Sequence, residues 1–418
     1  MRILLANKFF YPRAGAETVF FQERELLRGR GHEIVDFAMR DPQNLPSPDA
    51  AFFAPARTYV EGAGRLTRVR SAASSVYSPA ARRAIRALVT ARRPQLAHLH
   101  NIYHQLTTSV IDELVAQRVP VVLTLHDYKV VCPSYDLFTD HAPCRRCVGH
   151  LPWHAVKHRC IKGSLGGSAL AAAEAVLTRA RRSYAKADAV ITPSAFLADL
   201  AATYVPADRI HVVPNFLNER PALPAPAPGN SDRPYVLFAG RLEEVKGIAV
   251  LEAALEAWDR RVDLLIAGQG PLQPRVEHLH TAGRAKYLGT LPREEVAGLM
   301  RRALAVVVPS VWEENYPMSI VEARAAGTVV ICSNRGGHLE MVDHDQDGLL
   351  FDPSDPSALA ASITRLLDSP DLRRSLVEHG WERTIRENSA DGHYDALMRV
   401  YGSATAAVAD RAPAAIAS

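Results

Sequence analysis

The chain has 418 residues, of which 48% are hydrophobic and 22% are charged. This length predicts two domains, and the composition is typical of a globular enzyme. No segment approaches the roughly 18 apolar residues of a membrane span, and the apolar start of the chain is too short for a signal peptide. The composition therefore argues against a membrane-spanning protein, and we expect a cytoplasmic one.

The net charge of +4 conceals two unlike halves. Residues 1–218 hold 28 Lys and Arg against 17 Asp and Glu, whereas the remaining residues hold 21 against 28. Such a basic half predicts contact with an anionic surface or acceptor. Much of the excess lies in a helix-like segment, Arg65–Arg93. This segment fits either a helix at a membrane surface or a solvated arginine-rich face.

Short apolar runs alternate with helical patterns along the chain, which predicts a doubly wound α/β architecture. The first series of predicted strands is Arg2–Ala6, Glu33–Phe37, Leu96–His100, Val121–Leu125, Ala189–Thr192 and Ile210–Val213. After a Pro/Ala-rich linker at 221–234, the second series is Tyr235–Ala239, Asp263–Ala267, Ala285–Leu288, Ala305–Val308, Val329–Cys332 and Gly348–Phe351. Two such sheets predict a ligand cleft between two domains.

Three segments of the first half carry candidate ligand groups. Gly15 permits close approach of the backbone to a ligand. His126 ends a buried strand, where it either hydrogen-bonds a substrate hydroxyl or caps the strand. His100 and Asn101 are further candidates for an acceptor pocket.

Four of the five cysteines fall within 29 residues, namely Cys132, Cys144, Cys147 and Cys160. Their C-x11-C-x2-C-x12-C spacing fits a structural zinc site of four thiolates, which would close a polar loop. Free or redox-active thiols are the alternative, whereas a reducing cytoplasm disfavours disulfides. Because the cluster begins six residues after His126, we expect the insertion to shape the choice of ligand and to take no part in bond-making.

Two cations follow the first strand of the second half. Arg241 and Lys246 come after a buried strand and Gly240. They either neutralise a diphosphate or remain surface cations beside Glu243 and Glu244.

The segment 304–328 joins an apolar run, an irregular loop and a helical pattern. Glu314 would lie in the loop and Glu322 in the first turns of the helix. Because a helix N-terminus attracts anions, both carboxylates could face one nucleotide sugar there. The alternative is a loop glutamate and a glutamate near a helix start, where the helix dipole favours acid anyway.

The pair Glu314-x7-Glu322, followed by Ala323 and Gly327, resembles the E-x7-E signature of the family 4 retaining glycosyltransferases. Further segments that resemble this family occur in the expected order: YPRAGAE at 11–17, GHEI at 31–34, TLHD at 124–127, VVPN at 212–215, GRLEEVKG at 240–247, GGHLEMV at 336–342 and DGLLFDP at 347–353. The resemblance covers about residues 1–400. It implies an α/β fold of the GT-B type, with two Rossmann-like doubly wound domains that face each other across a cleft.

The resemblance also implies roles for single residues. Glu314 and His126 would contact the donor sugar, Glu322 would bind the ribose, and Arg241 and Lys246 would bind the diphosphate. The other donor-binding residues that it implies are Gly15, Gly240, Gly289, Met318 and Ser319.

Two positions depart from the pattern of the family. Ala14 replaces the first glycine of the N-terminal loop. Asn315, Tyr316 and Pro317 stand where Gly-Phe-Gly is usual, and Pro317 has no N–H. Contacts to the diphosphate would therefore come from the neighbours Met318 and Ser319.

The resulting hypothesis is a retaining hexosyltransferase that moves a sugar from a nucleotide diphosphate sugar, with UDP favoured, to an acceptor hydroxyl. The acceptor would be anionic or lipid-linked, in polysaccharide, glycolipid or natural-product glycoside biosynthesis, with no nucleic-acid partner. Catalysis would need no metal or other cofactor, and the catalytic residues would be His126, Arg241, Lys246 and Glu314. The alternative is a catalytically silent nucleotide-binding partner or pseudo-glycosyltransferase.

The implied domains are an acceptor-binding domain at 1–218, with the cysteine-rich insertion at about 130–162, and a donor-binding domain at 219–380. A helix at about 381–401 would pack back onto the first domain, and residues 403–418 would form a disordered tail. The segment Arg65–Arg93 would give peripheral contact with the inner face of the membrane.

Overall fold

The computed structural model describes residues 1–13, 15–56, 73–218 and 233–411. The predictions made for Ala14, for Arg65 to Arg70, for most of the linker and for the last seven residues lie outside these ranges. The chain divides into two compact units, the first of Met1–Leu137, Arg145–Val213 and His393–Ser418, and the second of Phe138–Cys144 and Pro214–Gly392. Within the described residues, no helix is both long and apolar enough to cross a membrane.

Two six-stranded sheets, each parallel throughout, organise the two units. The strands are β1 (Arg2–Ala6), β2 (Glu33–Phe37), β3 (Leu96–Leu99), β4 (Val121–Thr124), β5 (Phe138–Thr139), β6 (Ala142–Pro143), β7 (Ala189–Thr192), β8 (Ile210–Val212), β9 (Tyr235–Ala239), β10 (Asp263–Ala267), β11 (Lys286–Tyr287), β12 (Ala305–Val308), β13 (Val329–Ser333) and β14 (Leu349–Phe351). The first sheet has the order β2-β1-β3-β4-β7-β8, and the second has the order β11-β10-β9-β12-β13-β14. Strands β5 and β6 form a short antiparallel hairpin.

Helices connect the strands, as parallel pairing requires. They are α1 (Gly15–Gly29), α2 (Pro79–Arg92), α3 (Ser109–Ala116), α4 (Trp153–Lys157), α5 (Leu165–Ala180), α6 (Ala195–Ala201), α7 (Ile248–Ala254), α8 (Gln273–Thr281), α9 (Arg293–Arg302), α10 (Met318–Ala325), α11 (His338–Met341), α12 (Pro356–Asp368), α13 (Pro370–Glu387) and α14 (Ala390–Ala409). Single 3-10 turns occur at Ala50–Phe52, Tyr184–Lys186, Ala207–Arg209 and Glu244–Lys246.

All twelve predicted strands are present, six with the predicted bounds, five that differ by one residue at one end, and β11, which is one residue shorter at each end. Strands β3, β4, β7, β12 and β13 are buried at every position. Helices cover both faces of a doubly wound sheet, so its central strands are rich in Val, Ile and Leu. The predicted α/β architecture is therefore confirmed.

The C-terminal region differs from the prediction in two ways. The single helix expected at 381–401 is two helices, because α13 ends at Glu387 and α14 begins at Ala390. Asn388 lies at the break, where its side chain donates to the carbonyl oxygen of Asn215 at 2.7 Å. The prediction of a disordered tail is wrong for residues 403–409, which are helical. Alanine favours helix, and Ala404 is buried in the core of the first unit.

The arginines of α2 are used within the first unit. Arg82 and Arg86 donate to the buried carboxylate of Glu113 at 2.7 and 2.6 Å. Arg92 donates to Asp49 at 2.7 Å. This helix therefore neutralises buried carboxylates of its own unit, which leaves fewer of its charges for an external surface.

Candidate active site

The order of the second sheet places two loops side by side. The order reverses between β9 and β12, and doubly wound sheets bind ligands at such a switch point, outside the carboxyl ends of the strands. Residues 240–247 follow β9, and residues 309–317 follow β12. The topology therefore brings the segment with Lys246 next to the segment with Glu314.

Gly247 allows these two loops to touch. Its φ is +79°, and a Cβ at this position would lie 1.9 Å from the carbonyl oxygen of Pro309. Only glycine tolerates both conditions. The N–H of Val311 donates to the carbonyl oxygen of Val245 at 3.0 Å, so the loops are also joined on the other side of Lys246.

Glu314 is the buried anion of this junction. Its Oε1 accepts hydrogen bonds from Lys246 Nζ at 2.6 Å and from Ser310 Oγ at 2.7 Å. Burial raises the pKa of a carboxyl group, but nearby positive charge, chiefly that of Lys246, and the hydrogen bonds from Lys246 and Ser310 together outweigh burial and lower the pKa of Glu314 to about 2. Glu314 therefore stays ionised at neutral pH and holds the ammonium group of Lys246 at the edge of the sheet.

The backbone around Gly337 supports Glu314 from the next loop of the sheet. The N–H of Gly337 donates to the carbonyl oxygen of Glu314 at 2.7 Å. A Cβ on Gly337 would lie 1.9 Å from the carbonyl oxygen of Asn315. His338 follows, buried, with Nδ1 donating to the carbonyl oxygen of Ser333 at 2.8 Å. Burial lowers the pKa of His338, so its imidazole is neutral.

The helix α10 begins directly after the loop that carries Glu314. Pro317 occupies its N-cap position and has no side-chain acceptor for the first amides, which include those of Met318 and Ser319. One turn further on, Oε1 of Glu322 accepts a hydrogen bond from Arg293 at 2.6 Å. Arg293 is a neighbour that the sequence did not indicate, because it comes from the start of α9.

Arg241 and the predicted glycines lie at the same edge of the sheet. Arg241 follows β9 and donates to Glu243 at 2.8 Å, with its side chain 60% exposed. Gly240 donates to the carbonyl oxygen of Ala267 at 3.0 Å. Gly289, after β11, has a φ of +70°. Of the predicted diphosphate ligands, Lys246 thus contacts Glu314, whereas Arg241 is paired locally.

In the first unit, His126 belongs to a buried group of histidines. It follows β4, its Nε2 lies 2.9 Å from Nδ1 of His100, and the two rings stack with centroids 5.2 Å apart. Burial lowers the pKa of His126 to about 3. The ring is therefore neutral and offers one donor and one acceptor nitrogen.

Glu23 of α1 is the anion of this group. Its Oε1 accepts from Nε2 of His393 at 3.0 Å, and its Oε2 lies 3.3 Å from Nε2 of His100. Burial raises the pKa of the Glu23 carboxyl, but His100 and His393 outweigh burial and hold that pKa well below its ordinary value. Glu23 and His98 were not predicted from the sequence, although the H-x-H pattern at 98–100 places both imidazoles on one face of the chain.

Glu23, His98 and His100 are also the one group of three potential metal ligands within 4.8 Å of one another among the described residues. Both ring nitrogens of His98 already have partners, since Nδ1 lies 2.8 Å from Tyr401 Oη and Nε2 lies 2.7 Å from Thr124 Oγ1. Burial lowers the pKa of His98 to about 3. We therefore interpret these residues as a hydrogen-bonded cluster and not as a metal centre.

No disulfide joins the clustered cysteines. Cys132 and Cys147 are buried, whereas Cys144 and Cys160 are half-buried. Three of them, Cys132, Cys147 and Cys160, lie in the first unit, yet they do not form a group of ligand atoms within 4.8 Å. Zinc binding by the four cysteines stays a prediction.

The loops after β1 and β3 form the corresponding switch point of the first sheet. The backbone N–H of Lys8 donates to the carbonyl oxygen of Asn101 at 2.8 Å, and the N–H of Asn101 donates to Asn7 Oδ1 at 3.1 Å. Gly15 begins α1, and a Cβ there would have no heavy atom within 4 Å among the described residues. The space beside Gly15 is therefore open.

Two family models match consecutive parts of the chain. Residues 13–220 match the model described as Glycosyltransferase Family 4, and residues 219–383 match Glycosyl transferases group 1. Alpha-maltose-1-phosphate synthase of Mycolicibacterium smegmatis is 32% identical over 251 residues, which are 53% of this chain and 64% of that protein. The chain spans about half the length of other curated relatives that it matches.

Solved structures agree in fold. Sucrose-phosphate synthase of Thermosynechococcus elongatus superposes with a TM-score of 0.68 at 23% identity, over 97% of this chain and 99% of that one. The Anabaena protein HepE, solved in complex with UDP, superposes with a TM-score of 0.67 at 18% identity, over 96% of this chain and 100% of that one. With both family models and this likeness, the chain belongs to family 4 of the glycosyltransferases and has the GT-B fold.

Proposed function

We propose that the protein is a retaining glycosyltransferase that moves a sugar from a nucleotide diphosphate sugar, with UDP favoured, to an acceptor hydroxyl. The observation that carries this proposal is the pair formed by Lys246 and Glu314, 2.6 Å apart at the switch point of the second sheet. Glu314 lies in the loop directly before α10, whose N-terminus favours an anion. A cation, a carboxylate and a helix start suit a ligand with a diphosphate between hydroxyl-rich ends.

In the proposed reaction the bond between the sugar and the diphosphate breaks, and the acceptor oxygen bonds to the same carbon on the same face. Lys246, Arg241 and the amides of Met318 and Ser319 stabilise the charge of the departing diphosphate. A departing phosphate oxygen takes the proton of the acceptor hydroxyl. This step needs no metal ion, and it gives retention of configuration.

The two glutamates have separate roles in this proposal. Glu314 accepts hydrogen bonds from hydroxyl groups of the donor sugar, and Glu322 binds the ribose. Because Glu322 is paired with Arg293 before the ligand arrives, ribose binding exchanges one partner of the carboxylate for another. Gly240 and Gly289 let the backbone approach the nucleotide.

The first unit binds the acceptor in this proposal, and its His126 and Gly15 contact the donor. A neutral imidazole such as that of His126 suits a sugar hydroxyl. The acceptor is anionic or lipid-linked, and the reaction takes place in the cytoplasm or at the inner face of the membrane. The UDP found with HepE supports the donor class.

Calorimetric titration with UDP, UDP-sugars and GDP-sugars tests the proposal. We expect micromolar binding of one nucleotide class, loss of that binding in Glu322→Ala and in Arg241→Ala, and unchanged binding in the control Glu294→Ala. Glu294 is exposed on α9, one residue from Arg293, and so reports unspecific charge effects. Absence of binding to every nucleotide would contradict the proposal, and binding without turnover would favour the catalytically silent alternative.

The structural zinc site is a second part of this proposal. We expect about one zinc ion per purified chain, lost in Cys147→Ser but retained in Cys332→Ser, whose thiol is buried in the second unit. Removal of zinc by a chelator lowers the melting temperature, since the metal closes the insertion. Metal analysis and thermal melting measure both effects. If the purified protein contains no zinc and the chelator does not change its melting temperature, the cysteines do not form a zinc site.

A further inference from the structure

The helix α5 exposes a face without a single polar side chain. Its exposed residues are Leu165, Gly166, Ala169, Ala173, Val176, Leu177 and Ala180. Leu165 is 55% exposed and Val176 is 43% exposed, and eleven positions apart they lie on the same side of a helix. The opposite face packs into the first unit through small residues such as Ala171 and Ala175. A large apolar surface of this kind usually marks a contact site.

The segment that leads into α5 extends this apolar surface. Leu151 is 71% exposed and Trp153 is 53% exposed, and Trp153 begins α4, which packs against α5. Trp and Leu are the side chains that enter the boundary between lipid headgroups and acyl chains. We call Leu151, Trp153 and the exposed residues of α5 the apolar face.

The segment that carries the apolar face is rich in basic residues and poor in acidic ones. Residues 145–182 contain eight Lys and Arg but one acid, Glu174. Glu174 is buried and paired with Lys129 at 2.7 Å, so it does not offset the surface charge. Five of the cations are exposed on the segment before α5, namely Arg145, Arg146, Lys157, Arg159 and Lys162.

We propose that the apolar face and its basic margin dock the first unit on a bilayer that contains anionic phospholipids. Apolar side chains would enter the boundary layer while Lys and Arg pair with headgroup phosphates, which is the arrangement of interfacial membrane helices. This inference concerns a surface and does not depend on sugar transfer. It assigns membrane contact to the insertion and α5.

The positive charge beside the apolar face favours a bilayer over a second copy of the chain as its partner. A second copy of the chain would bring the same cations against each other, which disfavours a symmetric contact. On α2, by contrast, Arg82, Arg86 and Arg92 are engaged by carboxylates of the same unit. Two carboxylates thus offset much of the charge of these three arginines, whereas residues 145–182 hold eight Lys and Arg against one acid.

Vesicle flotation tests the proposal with the full chain. We expect the protein to float with vesicles of phosphatidylcholine that contain about a third phosphatidylglycerol, and to bind pure phosphatidylcholine at least tenfold more weakly. High salt weakens the binding, because ions screen the basic margin. The double variant Leu165→Glu/Val176→Glu and the double variant Lys157→Glu/Lys162→Glu should each lower the partition coefficient by roughly tenfold or more.

Two matched variants control for unspecific effects. Leu339→Glu introduces a charge at a leucine of the second unit that is also 55% exposed, and Arg83→Glu reverses an exposed charge on α2. Both should bind anionic vesicles like the wild type. Thermal melting of every variant shows whether it is folded.

Three outcomes would overturn the proposal. The first is a folded wild-type protein that does not float with anionic vesicles. The second is equal binding of the wild type and both double variants, and the third is loss of binding only in Arg83→Glu. If light scattering finds a dimer that Leu165→Glu/Val176→Glu converts to a monomer, while vesicles bind no form, the face is a self-association surface instead.

Discussion

Lys246 and Glu314 depend on each other before any ligand binds. Lys246→Met removes the cation but keeps much of the side-chain volume, so Glu314 is left ionised in a buried site. Because the side chain of Lys246 is 21% exposed and water can partly replace it, we expect a loss of about 1–3 kcal/mol in the free energy of unfolding. Urea denaturation at neutral pH measures this loss.

The double variant Lys246→Met/Glu314→Gln separates stability from function. A neutral amide in place of the carboxylate removes the unpaired charge, so we expect the stability to recover. Affinity for the nucleotide should not recover, because both ligand groups are gone. A double variant less stable than Lys246→Met would show that Glu314 has another stabilising partner of similar strength, and that our account of the pair is wrong.

At the scale of elements, α14 completes the first unit through Tyr401. Its Oη lies 2.8 Å from Nδ1 of His98, and both residues are buried. Tyr401→Phe keeps the ring but leaves a buried nitrogen without a partner, so we expect a loss of about 1–3 kcal/mol in the free energy of unfolding. Tyr394→Phe is the control. Tyr394 lies on the same helix as Tyr401, and its Oη lies 2.9 Å from Nε2 of His32 in a part-buried site. Equal losses in the free energy of unfolding of both variants would show that burial does not make the hydrogen bond of Tyr401 the stronger contributor to stability.

The elements were largely predictable because their signals are local. Each strand is a short apolar run, and Lys246, Glu314 and Glu322 stand at the fixed spacings of linear motifs. The partners that complete these groups were not predictable. Tyr401 and His98 are 303 positions apart, and Arg293 looks like any other surface arginine at a helix start. Only the folded chain shows that such residues meet.

At the scale of the molecule, buried neutral histidines predict sensitivity to acid. The pKa values of His98 and His126 are lowered from 6.5 to about 3, mainly by burial. Below pH 6.5 the unfolded chain binds protons that the folded chain does not bind. Stability is therefore fully present above that pH and falls as the pH drops towards 3, by up to about 1.4 kcal/mol per pH unit for each histidine.

Urea denaturation at pH 7.5, 6.5 and 5.5 measures this dependence. We expect His98→Asn to be less stable at pH 7.5 but to have a shallower dependence on pH, because one of the two histidines is removed. Glu23 and Glu314 add a further loss of stability only below pH 4.5, since their lowered pKa values stabilise the fold above it. A free energy of unfolding that is constant between pH 7.5 and 5.5 would refute the assignment of neutral buried imidazoles.

The return of α14 to the first unit has a consequence for the synthesis of the chain. Leu397, Val400, Tyr401 and Ala404 are part of the core that also contains Ile3, Leu5 and Phe20. The two sides of this core are almost a whole chain length apart in the sequence, so the ribosome synthesises one at the start and the other near the end. Most of the second unit, Pro214–Gly392, is continuous in the sequence and can finish folding before the first unit receives its last helix. The core of the nascent N-terminal half therefore stays incomplete until the last helix is synthesised. A chain that stops short of residue 397 would keep that apolar surface exposed to chaperones and proteases.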